Sequence, residues 1–385
     1  MDFSLTQRQR IIRDSIREFA EKEIAPTVIE REERGEFSYE LWKKMAEIQL
    51  TGLSIPKEYG GVGVDALTTA IALEAFASGS YDMSLMMVWG SHLILCAMAI
   101  VEFGTEEQKK GYLPKLATGE WIGAYGLTEP EAGSDATALK TTAEINGDYY
   151  VLNGSKTFIS NAPIADVSIV FASTDLSKRA EGITVFIVEK DFPGFTRGKP
   201  LKKFDLMASP TGELFFNDCR VPKENLLGEE GRGFQAMLTS LGWERMGVVA
   251  SWPGFMEAEL NECIKYAKQR KQYGKPIGSF QLVQSMLAEM KIDLEASRYL
   301  AYHLAWKLDR KEPIALDAAI AKTFISEAAE RSSRKAVQIF GGYGFMREFQ
   351  VGRGLWWNKL ACIGGGTSQI QRLIIGRLLT GLGSK

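Results

Sequence analysis

The feature that most constrains the fold is a change of hydrophobic period at Gly119 and its reversal near Gly231. Before it, apolar residues recur at helical spacing: Ile11, Ile12, Ile16, Phe19 and Ala20, then residues 37–50 behind Ser38 as N-cap. Gly60, Gly61 and Gly63 turn the chain into a further helix over 66–77. Thr105 with Gln108 reads as the capping box of a short helix that stops before Pro114. From Trp121 to about Phe216 the pattern alternates and turns β-branched. Strands are expected near 149–152, 167–172, 182–188 and 213–216. Turns are expected at Asn146-Gly147-Asp148, Asn153-Gly154 and Asp191-Phe192-Pro193-Gly194. Long helices then return: 234–245 and beyond, 257–271, 281–310 and 316–340. Met286, Met290, Ile292 and Leu294 are spaced as in a helical bundle. This is an α+β chain, helix–β–helix in order, divided at 1–120, 121–230 and 231–385.

A length of 385 residues suits two or three domains. The net charge of −2 carries no basic excess or stripe of the kind a nucleic-acid surface needs. Cys96, Cys219, Cys263 and Cys362 lack paired spacing, which reads as reduced intracellular thiols with neither a disulfide framework nor a zinc site. The first helix mixes acids and bases, unlike a signal or transit peptide, and a cytoplasmic location is expected. The most apolar run, 85–101, is interrupted by Gly90, Ser91 and His92, and reads as a buried core helix rather than a membrane span.

Five stretches stand out. Residues 125–135, YGLTEPEAGSD, combine close-approach glycines with hydroxyls, and suit a planar hydrogen-bonding cofactor or a tight loop. NGSKTFISNA, 153–162, pairs Asn-Gly with Phe158 and Ser160, and read singly it is a hairpin. RKQYGKPIGSFQ, 270–281, is a basic connection between helices, and QIFGGYGF, 338–345, ends a helix at a double glycine. In GGGTSQIQR, 364–372, three glycines let backbone approach a ligand. Thr367 and Ser368 then cap an apolar-periodic helix whose free N–H groups suit an anionic or carbonyl ligand.

In this order and at these separations, the five stretches resemble the acyl-CoA dehydrogenases over essentially the whole chain. The resemblance implies an N-terminal α-helical domain, a middle β-barrel domain and a C-terminal four-helix bundle. It implies FAD, with Tyr125, Gly126 and Thr128 at the isoalloxazine and its pyrimidine edge, Phe158 and Ser160 along the ring, and Thr367 and Gln369 binding from the C-terminal domain. Arg270, Tyr273, Gln338, Gly341 and Gly342 match positions that reach the FAD of a neighbouring subunit, which implies a homo-oligomer, usually a dimer of dimers. Ser134 matches a position near the pantetheine of an acyl-CoA. The family passes its electrons to an electron-transfer flavoprotein.

Family chemistry needs a carboxylate to take the α-proton and donors on the thioester carbonyl. Many members carry that base directly before the Gly-Thr of the last loop, where this chain has Gly365, followed by Gly366. A backbone N–H remains at Gly365, but the acid is gone. The isovaleryl-CoA and long-chain enzymes place the base early in the helix after the β-domain, and the matching residue is Glu244. Arg245 beside it is expected to help hold the pocket or the CoA side. Asp82 is a second candidate base, although SYDMS also reads as an N-cap. His92 and His303 offer neither a triad nor a metal pair, and His92 reads as a packed histidine. Trp356-Trp357-Asn358 stand where the family commonly has Arg-Asp-Ala. Trp89, Trp243 and Trp252 are expected near the acyl chamber and lean toward a short, branched or cyclic acyl group. The rival readings are a changed reaction on the same fold, desulfinase-type elimination or enoyl-CoA reduction, and a non-catalytic flavin-binding partner.

Overall fold

The computed structural model describes residues 4–382, and of residues 238–241 the helical backbone alone. The N-terminal region is helical: α1 (Gln7–Phe19), α2 (Val28–Arg34), α3 (Tyr39–Glu47), α4 (Ala66–Ser80), α5 (Met83–Gly90), α6 (Met98–Phe103) and α7 (Glu106–Ala117). The Ser38 hydroxyl caps α3 by accepting the Leu41 N–H at 3.2 Å, and Thr105 and Gln108 form the expected capping box. A π-helical stretch, Ser91–Ala97, joins α5 to α6. The combined helix Met83–Phe103 is long and apolar enough to cross a membrane, but 78% of its apolar window is buried inside the protein, so it is a core helix. The expected stop before Pro114 is wrong, because α7 runs through the proline to Ala117. Burial of Tyr112, Leu113, Leu116 and Ala117 holds its last turn despite the missing N–H.

The middle region contributes β1 (Gly123–Gly126), β2 (Thr142–Asn146), β3 (Tyr149–Ser160), β4 (Val167–Ser173), β5 (Ile183–Glu189), β6 (Phe195–Arg197) and β7 (Thr211–Pro222) to one seven-stranded sheet, a half-barrel. β1 and β2 pair β4 in parallel, β5 pairs β4 antiparallel, and β3, β7 and β6 follow β2 as antiparallel neighbours. Side chains alternate across β4: Ile169 and Phe171 join the main core, whereas Val170 and Ala172 join a second core inside the half-barrel. Asn153-Gly154 is not a turn. β3 passes straight through it, with register shifts at Leu152/Gly154 and Lys156/Ile159. The glycine serves close approach instead, since a Cβ on Gly154 would sit 2.6 Å from Thr141 Oγ1.

The C-terminal region comprises α8 (Gly233–Gln269), the hairpin β8 (Lys271–Gln272) and β9 (Lys275–Pro276), α9 (Gln281–Asp309), α10 (Ala315–Phe340), α11 (Gly354–Ala361) and α12 (Ser368–Thr380). The two helices expected over 234–245 and 257–271 are one helix of 37 residues that contains Pro253. Packing carries it across the proline. At Gly254 a Cβ would lie 2.2 Å from Glu74 O, so α8 and α4 meet there backbone to backbone.

Candidate active site

Glu244 stands on α8, and Gly365 lies in the loop between α11 and α12. A Cβ built on Gly365 would lie 3.5 Å from Glu244 Oε1. The carboxylate therefore occupies the space into which a side chain at 365 would project. Gly365 and Gly366 have φ of 64° and 84°, the left-handed region that favours glycine. Gln371 Nε2 donates to Gly365 O at 3.1 Å and Gly366 O at 3.3 Å, which draws both carbonyls toward α12. Among the described residues the N–H groups of Gly365 and Gly366 have no partner. Thr367 caps α12 by accepting the Ile370 N–H at 3.2 Å.

Burial pushes the Glu244 carboxyl above the usual carboxylate range, and the positive charges of Arg245 and Lys322 offset part of the rise. Burial lowers the Arg245 guanidinium, and Glu244 opposes that. Arg245 Nε is buried without a partner among the described residues. Lys322 is 1% exposed, donates to Ala361 O at 2.6 Å, and is pushed down to about 8 by burial.

The other acid and the histidines are already engaged. Asp82 Oδ1 caps α5 through the Leu85 N–H at 3.0 Å, and Oδ2 pairs with Arg31 Nη2 at 2.5 Å. His92 accepts the Gly123 N–H on Nδ1 at 3.1 Å, and its Nε2 faces Leu116 O at 3.1 Å and Thr51 O at 3.2 Å. Burial pushes it down to about 4, so it is a neutral structural ring. His303 is partly exposed beside Asp317 at 3.4 Å.

Tyr125, Gly126 and Thr128 come together with Phe158 and Ser160 because β1 and its following loop lie against β3, where Thr157 N–H donates to Thr128 O at 2.9 Å. The bulge of β3 gives Phe158 a φ of 58° and leaves its ring 71% exposed. Beneath this loop sits a pair that sequence reasoning missed: Lys156 Nζ meets Glu129 Oε1 at 2.6 Å, both buried. Glu129 also accepts the N–H groups of Lys140 and Thr141, at 2.6 and 3.0 Å. Burial would raise its carboxyl, but Lys156 and these donors hold it below the usual range. Both residues lie in stretches already singled out, but nothing in a linear sequence shows that they pair. Ser134 is exposed on the same loop, beside the surface pair Asp135–Arg179 at 2.7 Å. A cavity of about 350 Å³ opens beside Thr367 and Gln369, bounded by Glu327, Arg331 and Lys359. The exposed Phe158 face beside the β1 loop suits a planar ring such as that of a flavin.

The remaining expected positions gather elsewhere. Arg270 closes α8 and lies 5.6 Å from the Tyr343 ring, while Tyr266 stacks on Phe340 at 4.2 Å, which ties Arg270 and Tyr273 to Gln338, Gly341 and Gly342. Tyr273 is 94% exposed. Arg270 is 26 residues beyond Glu244, so about 39 Å along the helix at 1.5 Å per residue.

The tryptophans divide. Trp89 is fully buried against Phe76, with Nε1 donating to Leu50 O at 2.8 Å. Trp252 packs on Phe255, and Trp357 packs on Tyr81 and Phe255. These indoles are core, whereas Trp243 is partly exposed and Trp356 is exposed. Sequence reasoning also missed Gly90. It is half-buried in a mostly buried helix, with open space where a Cβ would be.

Models of the N-terminal, middle and C-terminal domains of acyl-CoA dehydrogenase match residues 6–120, 124–219 and 231–380. The chain belongs to the acyl-CoA dehydrogenase family. It is therefore an FAD-dependent oxidoreductase of that family. The short-chain-specific acyl-CoA dehydrogenase of Clostridium acetobutylicum is 44% identical over 375 residues, covering 97% of this chain and 98% of the relative. The L-prolyl-[peptidyl-carrier protein] dehydrogenase of Pseudomonas fluorescens is 46% identical over 344 residues, covering 89% and 90%. Among solved structures, PigA with FAD and proline superposes with a TM-score of 0.96 at 36% identity, over 99% of each chain.

Proposed function

We propose that this acyl-CoA dehydrogenase desaturates a short acyl thioester between its α and β carbons, with Glu244 as the base. The observation that carries the reading is the 3.5 Å approach of the Glu244 carboxylate to the Cβ position of Gly365, where the family's usual base would begin. Glu244 takes the α-proton, and its raised affinity for protons suits that task near neutral pH. The unpartnered N–H groups of Gly365 and Gly366 meet the thioester carbonyl, where negative charge develops. Bound FAD supplies the acceptor for the hydride that leaves the β-carbon. Tyr125, Gly126, Thr128, Phe158 and Ser160 hold its ring, and Thr367 and Gln369 hold it from the C-terminal side. Arg245 and Ser134 flank the thioester, and an electron-transfer flavoprotein takes the electrons.

A short acyl group is supported by the Clostridium relative rather than by the indoles, three of which pack in the core. The Pseudomonas relative favours a second reading, in which the same thioester hangs from a peptidyl carrier protein. Anaerobic titration of the flavin with acyl-CoA and with carrier-bound thioesters separates the two by which one bleaches it. In Glu244→Gln, FAD and thioester binding are expected to persist while flavin reduction falls by roughly a thousandfold. Near-normal reduction in that variant would sink the assignment.

A further inference from the structure

We propose that Lys322 is a positioning residue for this reaction: its buried ammonium anchors the entry to the glycine loop that faces Glu244 and sets a positive charge there. The inference rests on Glu244 being the base.

Lys322 lies on α10 and is 1% exposed. Its Nζ donates at 2.6 Å to the carbonyl of Ala361, the last residue of α11 and four residues before Gly365. An ammonium buried on a single carbonyl costs stability that an apolar side chain of similar volume would not. Its presence therefore calls for a charge to answer. Among the described residues no carboxylate lies in ion-pair range of Nζ. The nearby acids of α10 are spent on other cations: Glu327 on Arg372 at 2.6 Å, and Glu330 on Arg334 and on Lys359 at 3.4 Å.

The charged and titratable groups that act on Lys322 are Glu244 and Arg245 from α8, the already paired Glu327 of α10, and the buried Cys362 thiol from the turn after α11. The loop itself brings no charge, since residues 363–366 are Ile363 and three glycines. Two cations thus serve one carboxylate. Glu244 feels burial, which favours its protonated form, against Arg245 and Lys322, which favour the carboxylate. The Ala361 bond meanwhile fixes where the loop begins, and so where Gly365 stands relative to that carboxylate. Without the ammonium, Arg245 alone would oppose burial, and Glu244 would hold its proton to higher pH.

The test is the pH profile of flavin bleaching under single turnover. It compares the wild type, Lys322→Gln, which keeps a donor but loses the charge, Lys322→Arg, which keeps both, and Glu244→Gln. In Lys322→Gln the acidic limb should move to higher pH, with the rate about tenfold lower near neutrality and regained in alkali. FAD content should be unchanged, and Lys322→Arg should restore the limb. A second readout needs no turnover. The infrared band of the protonated Glu244 carboxyl, identified by its loss in Glu244→Gln, should persist to higher pH in Lys322→Gln. An unmoved limb, or a rate lowered equally at every pH, overturns the role of Lys322 while leaving the base in place. Normal reduction in Glu244→Gln removes the base instead. Should Lys322→Gln not hold flavin, Lys322→Met is read the same way. If neither folds while Lys322→Arg does, the lysine is structural and the proposal is overturned.

Discussion

At the scale of single residues, the site turns on two positions 121 apart in sequence, Glu244 and Gly365. That they share one space was not legible in either stretch alone: GGGTS reads as a helix cap, and Glu244–Arg245 as an exposed pair. Only the family pattern suggested an exchange, and the 3.5 Å approach gives it a geometry. The geometry makes the exchange testable. Gly365→Glu alone should lower flavin reduction, because a side chain at a φ of 64° is strained by about 1 kcal/mol and its carboxylate would crowd Glu244. Glu244→Gly should be inactive, since the other acids beside the loop, Glu327 and Glu330, are paired with Arg372 and with Arg334 and Lys359. The double variant should recover activity above either parent by at least about tenfold, because it returns one carboxylate to the shared space. A double variant no better than Glu244→Gly would show that the two positions do not exchange. Lys322, by contrast, carries no sequence signal, because a lysine in an amphipathic helix reads as solvent-facing.

At the scale of elements, long periodic segments were legible and punctuation was not. Pro114 and Asn153-Gly154 read as breaks, a gap is expected between 245 and 257, and in each case tertiary packing carries the element through. The helix that contains the π-helical stretch is the most informative of these elements. Its Ile94 meets α8 at Gly247, three residues past Glu244, where a Cβ would lie 2.9 Å from Ile94 Cγ2. Tyr81, just before the same helix, packs on Phe255 and reaches Glu259. The helix therefore runs antiparallel to α8, and Gly90 lies farther from Glu244 than Ile94 does. An acyl chain running from Glu244 along this helix would meet the open space at Gly90 beyond Ile94. Gly90→Leu should leave the shortest substrates nearly unaffected and lower kcat/KM for longer ones by roughly tenfold or more, about 1–3 kcal/mol per excluded methylene. An equal loss across chain lengths would place the acyl tail elsewhere.

At the scale of the whole molecule, the Arg270 group is remote from the proposed base. The Arg270 group stands about 39 Å along α8 from Glu244. Its most prominent side chain, Tyr273, projects into solvent at 94% exposure, and Phe345 of the segment after α10 is 86% exposed. A second copy related by a two-fold axis would bring one protomer's Arg270 group to the partner's flavin, and the reverse. This arrangement predicts complementation. Glu244→Gln and Arg270→Glu should each be inactive alone, the first by losing the base and the second by placing a carboxylate against the cofactor's pyrophosphate. In a mixed dimer, one site would combine both defects and the other would combine neither. Co-expressed in equal amounts, with random assembly, half the dimers are mixed and half of their sites are intact, so about a quarter of all sites should bleach with substrate. Mixing after separate purification should give that recovery only as fast as subunits exchange. If each protomer instead bound its cofactor alone, the co-expressed mixture would stay as inactive as its parents.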